Sequence, residues 1–392
     1  MNSLLNVGNT GITLTILEKS TYSTWLSTQS PFNQNWLQHT SYKGEGLALL
    51  PNFAAGEEGS LSHAIFVVDD ANHYFACGDL ISKLPAGQYQ LDAATVHQQA
   101  ICFAWLIGAY NYQAYKTNNT DKELPSLVVS EQNLVDNAIK YAQATNLVRD
   151  LVNTPAADMM PKNIGDTAQA LAKTFGAKVS QIIGDELLEN NYPTIHAVGR
   201  ASVNQPRLID LTWGNESHPQ VTLVGKGVCF DSGGLDLKPA AGMRNMKKDM
   251  GGSAHVLGLA HLIMSHNLPI NLRVLIPAVE NAVSSNALRP GDVVTTRKGL
   301  TVEIDNTDAE GRLVLGDALC EASQDKPELI IDFATLTGAM RIALGTELPG
   351  FSPPVMPLPK VLLKQAAKLL TLYGVCHFIA HTMTYSKVLL PI

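Results

Sequence analysis

The apolar run "VTLVGKGVCF" contains one charged residue, Lys226, and continues into "DSGGLDLKP", which supplies Asp231 and Lys238 among glycines. A lysine inside a buried strand is costly unless its charge is paired or its proton is removed. A phosphate-binding loop is one interpretation, but the spacing of glycine and lysine does not match GxxxxGK followed by Ser or Thr. Taken alone, the segment is more simply interpreted as a strand with a paired core lysine.

Two later segments add carboxylates in similar surroundings. Asp249 precedes two glycines and an apolar helix in "NMKKDMGGSAHVLGLA", where a negative charge at the helix start is favoured. In "NTDAEGRLVLGDAL", Asp308, Glu310 and Arg312 alternate, which predicts an extended backbone with all three on one side, followed by a buried run. Taken singly, Asp249 and Asp308 can be helix caps, and Arg312 can pair with Glu310.

Together these residues indicate a metal site. Three aspartates, one glutamate and a lysine in apolar or glycine-rich surroundings repel and desolvate one another without a compensating cation. Oxygen-rich sites suit divalent ions, and two ions about 3.5–4 Å apart serve several hydrolases, aminopeptidases among them. A lysine can join such a site only as a neutral amine, which a neighbouring dication favours.

The elements around these residues predict an α/β fold. From residue 156 to about 343, strand-like runs such as "NLRVLIPAV" and "ELIIDFATL" alternate with helix-like runs such as "GGSAHVLGLAHLIMSH". This alternation is typical of a mostly parallel central sheet covered by helices. Ligand chemistry is then expected at the carboxyl ends of the strands.

The pattern along the chain predicts four parts. Residues 1–128 form a small N-terminal α/β domain, and residues 129–155 form a connecting helix with Ser130 as N-cap and Pro155 as its stop. Residues 156–350 form a larger α/β domain that carries the candidate metal site, and residues 351–392 form an atypical tail.

The composition indicates a globular protein of the cytoplasm. The 392 residues are 45% apolar and 16% charged, which permits a large core, and the net charge of -7 argues against a nucleic-acid partner. The sequence start lacks the features of a signal peptide, and no run is apolar enough for a membrane helix. Five cysteines without a CxxC pair favour reduced thiols.

Four motifs carry a resemblance to a known family. "GKGVCFDSGGLDLKP", "MKKDMGG", "NTDAEGRLVLGDAL" and "FATLTGA" resemble, in order and spacing, those of the leucyl aminopeptidases, and the resemblance covers about Asn146 to Gly345. It implies a dinuclear metallopeptidase that removes N-terminal residues from peptides and forms hexamers. Some family members also bind DNA, a role that the acidic balance of this chain does not support.

The resemblance also implies roles for the metal-site residues. Lys226, Asp231, Asp249 and Glu310 would hold a tightly bound ion, and Asp231, Asp308 and Glu310 an exchangeable one. Asp231 and Glu310 would bridge the two ions, which would be Zn or Mn.

Further roles follow from the same resemblance. Lys238 would polarise the scissile carbonyl, and Arg312 would hold a bicarbonate that helps to deprotonate the attacking water. The predicted substrate pocket is lined by Met246, Thr335 and Gly338, and the peptide is positioned by Asn306 and Leu336. Core packing is the alternative role for Met246.

The end of the sequence differs from the rest. Residues 348–392 contain no Asp or Glu, and prolines recur. We expect the resemblance to end at about Gly350, with a truncated or frame-shifted C-terminus in which the segments that close the substrate pocket are missing.

Two alternatives to an active aminopeptidase remain. A catalytically impaired family member would act as a scaffold or assembly subunit because of the altered C-terminus. A two-metal phosphoesterase could use similar carboxylates, but such enzymes commonly recruit histidine ligands. Of the 11 histidines only His255 lies in the motifs, and we expect it to be a core or helix-surface residue.

Overall fold

The structure is a computed structural model that describes residues 3–52, 60–71, 76–92, 95, 97–117, 123–346 and 350. The chain divides into two compact units, Met1–Thr335 and Leu336–Ile392. The predicted atypical tail, residues 351–392, lies outside the described residues. Within the described part of the chain, no helix combines the length and apolar character needed to cross a membrane.

The first half of the large unit is built on a six-stranded sheet. Its strands are β1 (Leu5–Val7), β2 (Ile12–Glu18), β3 (Gly46–Pro51), β4 (Leu61–Val68), β5 (Gln88–Leu91) and β6 (Ser126–Val129), in the order β1-β6-β5-β2-β4-β3. All neighbouring pairs are parallel except β3 with β4. The accompanying helices are α1 (Lys19–Ser27), α2 (Pro31–His39), α3 (Leu80–Lys83) and α4 (Gln98–Gly108).

A long helix, α5 (Gln132–Asn153), follows this sheet. Its N-cap position is held by Glu131, which makes no side-chain cap, so the prediction that Ser130 caps the helix is wrong. The helix ends two residues before Pro155, as the inability of proline to continue a helix requires. The predicted limit at residue 128 falls inside β6, one residue before its end, and the limit at residue 155 falls just after α5. The division into domains stays a prediction.

The second half of the large unit contains another six-stranded sheet. Its elements are α6 (Pro161–Phe175), β7 (Lys178–Ile183), α7 (Glu186–Glu189), α8 (Pro193–Gly199), β8 (Arg207–Gly214), β9 (Gln220–Gly225), β10 (Gly227–Asp231), α9 (Ala240–Met243), α10 (Gly251–Ser265), β11 (Asn271–Asn281), the hairpin β12 (Val293–Thr295) and β13 (Thr301–Glu303), α11 (Glu310–Gln324) and β14 (Leu329–Phe333). In the smaller unit, α12 spans Gly338–Leu344.

The second sheet is mixed, and its parallel strands position the site. The order is β14-β9-β11-β8-β7, with β10 also paired to β11. Strands β14, β9, β11 and β10 pair in parallel, whereas β8 pairs antiparallel with both β11 and β7. Lys226 follows β9, Asp231 ends β10, and Thr335 lies just after β14. These three residues therefore lie at the carboxyl ends of parallel strands, and the expectation that ligand chemistry occurs there stays a prediction.

The predicted continuous strand around Lys226 is broken into two strands. The Lys226 N–H donates to Phe333 O at 2.9 Å, and its carbonyl accepts from the Ser253 N–H at the start of α10 at 2.8 Å. A Cβ atom at Gly252 would lie 2.1 Å from Phe333 O, so glycine is required there for the helix to approach. The break therefore brings α10 against the end of β9 and β14.

Two apolar cores lie on opposite faces of the second sheet. The consecutive residues Leu208 and Ile209 of β8 belong to different cores, because neighbouring side chains of a strand point to opposite faces. Residues of α5, α6 and α10 fill one core, and residues of α7, α8 and α11 fill the other. The α/β fold predicted from the sequence is confirmed, and the helices on both faces fix the strand ends that carry the site.

Candidate metal centre

Lys226 lies between two carboxylates. Its Nζ donates to Asp249 Oδ2 at 2.6 Å and lies 2.9 Å from Glu310 Oε1. All three residues are only 2% exposed. Thr335 Oγ1 donates to the other carboxylate oxygen of Asp249 at 2.8 Å. The lysine in the apolar segment is thus paired, as its burial requires.

Lys238 holds a second pair of carboxylates together. Its Nζ lies 2.8 Å from Asp231 Oδ2 and also contacts Asp308. One carboxylate oxygen from each of Asp231, Asp308 and Glu310 lies within 4.8 Å of the others. We refer to Asp231, Asp249, Asp308 and Glu310 as the acidic cluster, whose members come from three separate segments of the chain.

The backbone around Asp308 is not extended, so the prediction of a period-two strand is wrong. Asp308 lies in the 3-10 turn Thr307–Ala309, and Glu310 is the first residue of α11. Because successive α-helical residues are rotated by about 100°, Arg312 is about 200° from Glu310 around the helix. Arg312 is accordingly exposed, on another side of the helix from the buried Glu310.

Asp249 and Glu310 do not play the local structural roles considered for them. Asp249 lies in the 3-10 helix Met246–Met250, and α10 begins after it without a side-chain cap. Its carboxylate is bonded to Lys226 and Thr335 instead. Glu310 pairs with Lys226, and no described ion pair joins it to Arg312.

The electrostatics of the site indicate an excess of negative charge. Burial raises the pKa of Glu310 to about 7; Lys226 opposes this rise, whereas Asp231 and Asp249 add to it. Burial is also the main cause that raises the pKa of Asp308. Lys226 and Lys238, together with Lys248 at 3.8 Å from Asp249 Oδ1, supply three ammonium groups for four carboxylates, and divalent cations would supply the remaining positive charge.

The lysines remain charged in this arrangement. Burial lowers the pKa of Lys226, but Asp249 and Glu310 outweigh it, so that the pKa is raised overall. The pKa of Lys238 is likewise raised, since its bonds to Asp231 and Asp308 outweigh burial. Lys226 would become a neutral ligand only if a dication displaced its proton. The donor set fits divalent metal ions, which prefer carboxylate oxygens and accept an amine.

The predicted substrate residues are more dispersed. Asn306 is exposed, and its Oδ1 accepts from the Asp308 N–H at 2.7 Å. Met246 is half-buried at the start of the 3-10 helix that contains Asp249. Leu336 and Gly338 belong to the smaller unit, where both are exposed. Their substrate roles stay predictions.

Two buried polar residues at the site were not expected from the sequence. Asn281 donates to Asp231 Oδ1 at 2.8 Å, and Thr307 Oγ1 donates to Gly233 O at 2.7 Å. The position of Asn281 at the polar end of the buried strand "NLRVLIPAVEN" could have indicated it, because ligand chemistry is expected at strand ends. Thr307 lies inside the "NTDAEGRL" motif, but a threonine there does not by itself indicate a role in metal binding.

Comparison with known families identifies the chain. Residues 12–129 match the family described as "M17 aminopeptidase, N-terminal domain", and residues 146–368 match "Cytosol aminopeptidase family, catalytic domain". The chain therefore belongs to the cytosol aminopeptidase family, and the resemblance to leucyl aminopeptidases is confirmed. The catalytic match passes Gly350, so the expected end of the resemblance was placed too early. The additional matched residues include the first part of "LLKQAAKLL", which lies outside the described residues.

The curated relatives carry the corresponding name. A "Probable cytosol aminopeptidase" of Rhodococcus jostii (strain RHA1) is 46% identical over 211 residues, which are 53% of this chain and 42% of the relative. That of Pseudomonas fluorescens (strain SBW25) is 43% identical over 255 residues, or 62% of this chain and 51% of the relative. The chain thus spans about half the length of the curated relatives it matches.

Solved structures share the fold. The cytosol aminopeptidase of Coxiella burnetii superposes with a TM-score of 0.82 at 44% identity, covering 88% of this chain and 76% of that chain. The bottromycin maturation enzyme BotP in complex with Mn gives a TM-score of 0.73 at 30% identity, covering 86% and 75%. Leucyl aminopeptidase from Trypanosoma brucei in complex with bestatin gives 0.72 at 28% identity, covering 88% and 72%.

Proposed function

We propose that this protein is a metal-dependent aminopeptidase of the leucyl aminopeptidase type that releases the N-terminal residue from peptides. The observation that carries the proposal is the convergence of Asp231, Asp308 and Glu310 within 4.8 Å, beside a buried lysine that bonds to a fourth carboxylate. Family membership supports the same function. Such a cluster at parallel strand ends suits a pair of divalent ions.

The five predicted ligands would share two divalent ions, Mn or Zn. Lys226 and Asp249 would bind the tightly held ion, and Asp308 would bind the exchangeable one. Asp231 and Glu310 would serve as ligands to both ions. When bound, the ions would supply Lewis acidity, which would lower the pKa of a water at the site so that it could act as the nucleophile. The structurally similar enzyme BotP forms a complex with Mn, which supports manganese as one candidate.

Lys238 is the proposed electrophilic group of the protein. Its ammonium is at the edge of the acidic cluster, bonded to Asp231 and Asp308, and its raised pKa keeps it charged near neutral pH. A charged donor at this position would stabilise an oxyanion that forms on the substrate carbonyl. We propose that the exposed Arg312 holds a bicarbonate that accepts a proton from the attacking water.

The substrate pocket would be formed by Met246, Thr335 and Gly338, with Asn306 and Leu336 positioning the peptide. The hydroxyl of Thr335 is within hydrogen-bond distance of both the backbone carbonyl and a carboxylate oxygen of Asp249, so it is already engaged. By its family, the protein would prefer an apolar residue at the substrate N-terminus.

The proposal extends to assembly and location. By its family, the protein would form a homo-oligomer, a hexamer, and act on peptides in the cytoplasm. The name "cytosol aminopeptidase" of the curated relatives supports this location. The net charge of -7 gives no support to a nucleic-acid role.

The histidine content of the site does not favour a phosphoesterase. His255 bonds through Nδ1 to Gly251 O at 2.7 Å and stacks on Phe333 with ring centroids 6.3 Å apart. It is a helix-surface residue of α10, as expected from the sequence.

Hydrolysis of leucine p-nitroanilide by the full chain with added Mn²⁺ or Zn²⁺ tests the proposal. We expect metal-dependent release of nitroaniline and no hydrolysis of p-nitrophenyl phosphate. Folded, metal-loaded protein that releases no nitroaniline would contradict an active peptidase and favour a scaffold. Phosphate-ester hydrolysis alone would favour the phosphoesterase.

A further inference from the structure

Asn281 occupies a special position beside the acidic cluster. It is the last residue of β11, is 6% exposed, and pairs in register with Asp231 at the end of β10. A polar side chain buried to this extent requires hydrogen-bond partners. Its partners therefore show what it does in the fold.

The side-chain amide of Asn281 joins two segments that carry proposed metal ligands. Nδ2 donates to Asp231 Oδ1 at 2.8 Å and to the Thr307 carbonyl at 3.1 Å. Thr307 immediately precedes Asp308 in the 3-10 turn. An asparagine amide has two donor hydrogens, and both are used here.

The contact with Asn281 fixes the orientation of the Asp231 carboxylate. Asp231 Oδ1 also accepts the Gly233 N–H at 2.9 Å, so two protein donors occupy this oxygen. The other oxygen, Oδ2, faces Lys238 at 2.8 Å. Rotation of the carboxylate would break both bonds to Oδ1, so Asn281 helps to keep Oδ2 turned toward the cluster.

Other bonds make Asn281 part of a connected support. Its backbone carbonyl accepts from Ser232 Oγ at 2.7 Å and from the Ser232 N–H at 3.1 Å. On the opposite side, the Thr307 N–H donates to Asp236 Oδ2 at 2.7 Å. The loop after β10 and the turn before α11 are thus held to each other and to the end of β11.

We propose that Asn281 is a positioning residue that sets the relative placement of Asp231 and Asp308 for metal binding. The inference rests on the proposed two-metal site. Neither an aspartate nor an apolar residue can donate the two hydrogen bonds that the amide supplies. Groups that orient metal ligands in this way typically change metal affinity by about 10- to 100-fold when they are removed.

Titration of the metal-free full chain with Mn²⁺ by calorimetry tests this inference. Asn281→Leu keeps the number and branching of the side-chain heavy atoms but removes both donors, and Asn281→Ala removes both donors and most of the side chain. We expect both variants to bind the weaker of two Mn²⁺ ions about 10- to 100-fold less tightly. The tighter ion should be affected less, because Lys226 and Asp249 make no described bond to Asn281.

A control and a second variant complete the experiment. Glu280→Gln alters the preceding residue of β11, whose carboxylate bonds to Ser202 and Asn204, and it should keep the wild-type Mn²⁺ affinities. If Asn281→Leu does not fold, Asn281→Ser takes its place, with the same loss expected because one short hydroxyl cannot serve both acceptors.

The outcomes separate the inference from the function on which it rests. Folded Asn281 variants with wild-type affinity for both ions would overturn the positioning role while leaving the two-metal site intact. Equal loss in Glu280→Gln would also overturn it, because the effect would then be general to this end of β11. A wild-type protein that binds no Mn²⁺ would contradict the proposed function itself.

Discussion

Two lysines divide four carboxylates between them, and their environments give them different roles. Lys226 is 2% exposed and lies between Asp249 and Glu310. Lys238 is half-buried at the edge of the acidic cluster. A buried ammonium with two carboxylate partners is strongly coupled to folding, because its loss leaves uncompensated buried charge. The more accessible Lys238 is better placed to meet a substrate.

Replacement of Lys226 should destabilise the metal-free protein. We expect Lys226→Met to lower the free energy of unfolding by about 3–5 kcal/mol, since Asp249 and Glu310 lose their buried partner. Urea unfolding in the presence of a chelator measures this change.

A surface lysine provides the control for this prediction. Lys162 forms an i,i+4 pair with Asp166 and is 70% exposed, so Lys162→Met should cost only about 0–1 kcal/mol. Equal effects of the two substitutions would show that the Lys226 pairs do not stabilise the fold.

At the residue level, the sequence predicted which residues form the acidic cluster more accurately than it predicted the backbone conformation around them. The motifs named all four members of the acidic cluster, but the alternation of Asp308, Glu310 and Arg312 suggested a strand. Three residues are too few to separate a strand from a 3-10 turn that enters a helix. The supporting role of Asn281 was missed because it arises from contacts between segments distant in sequence.

At the level of elements, long periodic segments were predictable and local interruptions were not. The helical patterns correspond to α5 and α10, and the apolar runs correspond to β11 and β14. The break at Lys226 depends on bonds to Phe333 and Ser253, which no local pattern contains. Similarly, β8 pairs antiparallel with β11 and β7 in a sheet whose other strands are parallel. This pairing depends on contacts between distant segments, which no local pattern contains.

The contact between α10 and α6 makes the stability of the protein sensitive to acid. His261 of α10 packs edge-on against Phe175, the last residue of α6, with ring centroids 5.1 Å apart. Its buried Nδ1 has no partner among the described residues, and burial lowers its pKa below the usual 6.5. Below about pH 6.5 the unfolded chain therefore binds a proton that the folded protein does not. The free energy of unfolding consequently decreases as the pH is lowered.

Removal of this histidine should reduce the acid sensitivity. We expect His261→Phe to flatten the decrease in unfolding free energy between pH 6.5 and 5, by at most about 1.4 kcal/mol per pH unit. Urea unfolding across this range, with chelator present, measures the slope. His218→Phe removes an exposed histidine and should keep the wild-type slope. An unchanged slope in His261→Phe would show that His261 does not cause the acid sensitivity.

At the scale of the whole molecule, the chain matches both family domains, but the described residues cover the catalytic match, residues 146–368, only to residue 346 and at residue 350. The acidic cluster is assembled within the large unit, Met1–Thr335, from strand ends and helix starts held between two apolar cores. Its metal-binding capacity should therefore depend on this unit. The substrate roles of Leu336 and Gly338, in the smaller unit, stay predictions. Composition and motifs predicted the fold class and family, whereas the unusual residues 351–392 fall outside the described structure.

The most direct test of the two-metal site is the metal content of purified variants after loading with Mn²⁺ and removal of free metal, measured by mass spectrometry. We predict about two Mn per wild-type chain, a lower content in Asp308→Ala and Glu310→Ala, and an unchanged content in Lys238→Ala with lost activity. Equal metal content in all three variants would contradict the assignment of the acidic cluster as the metal site.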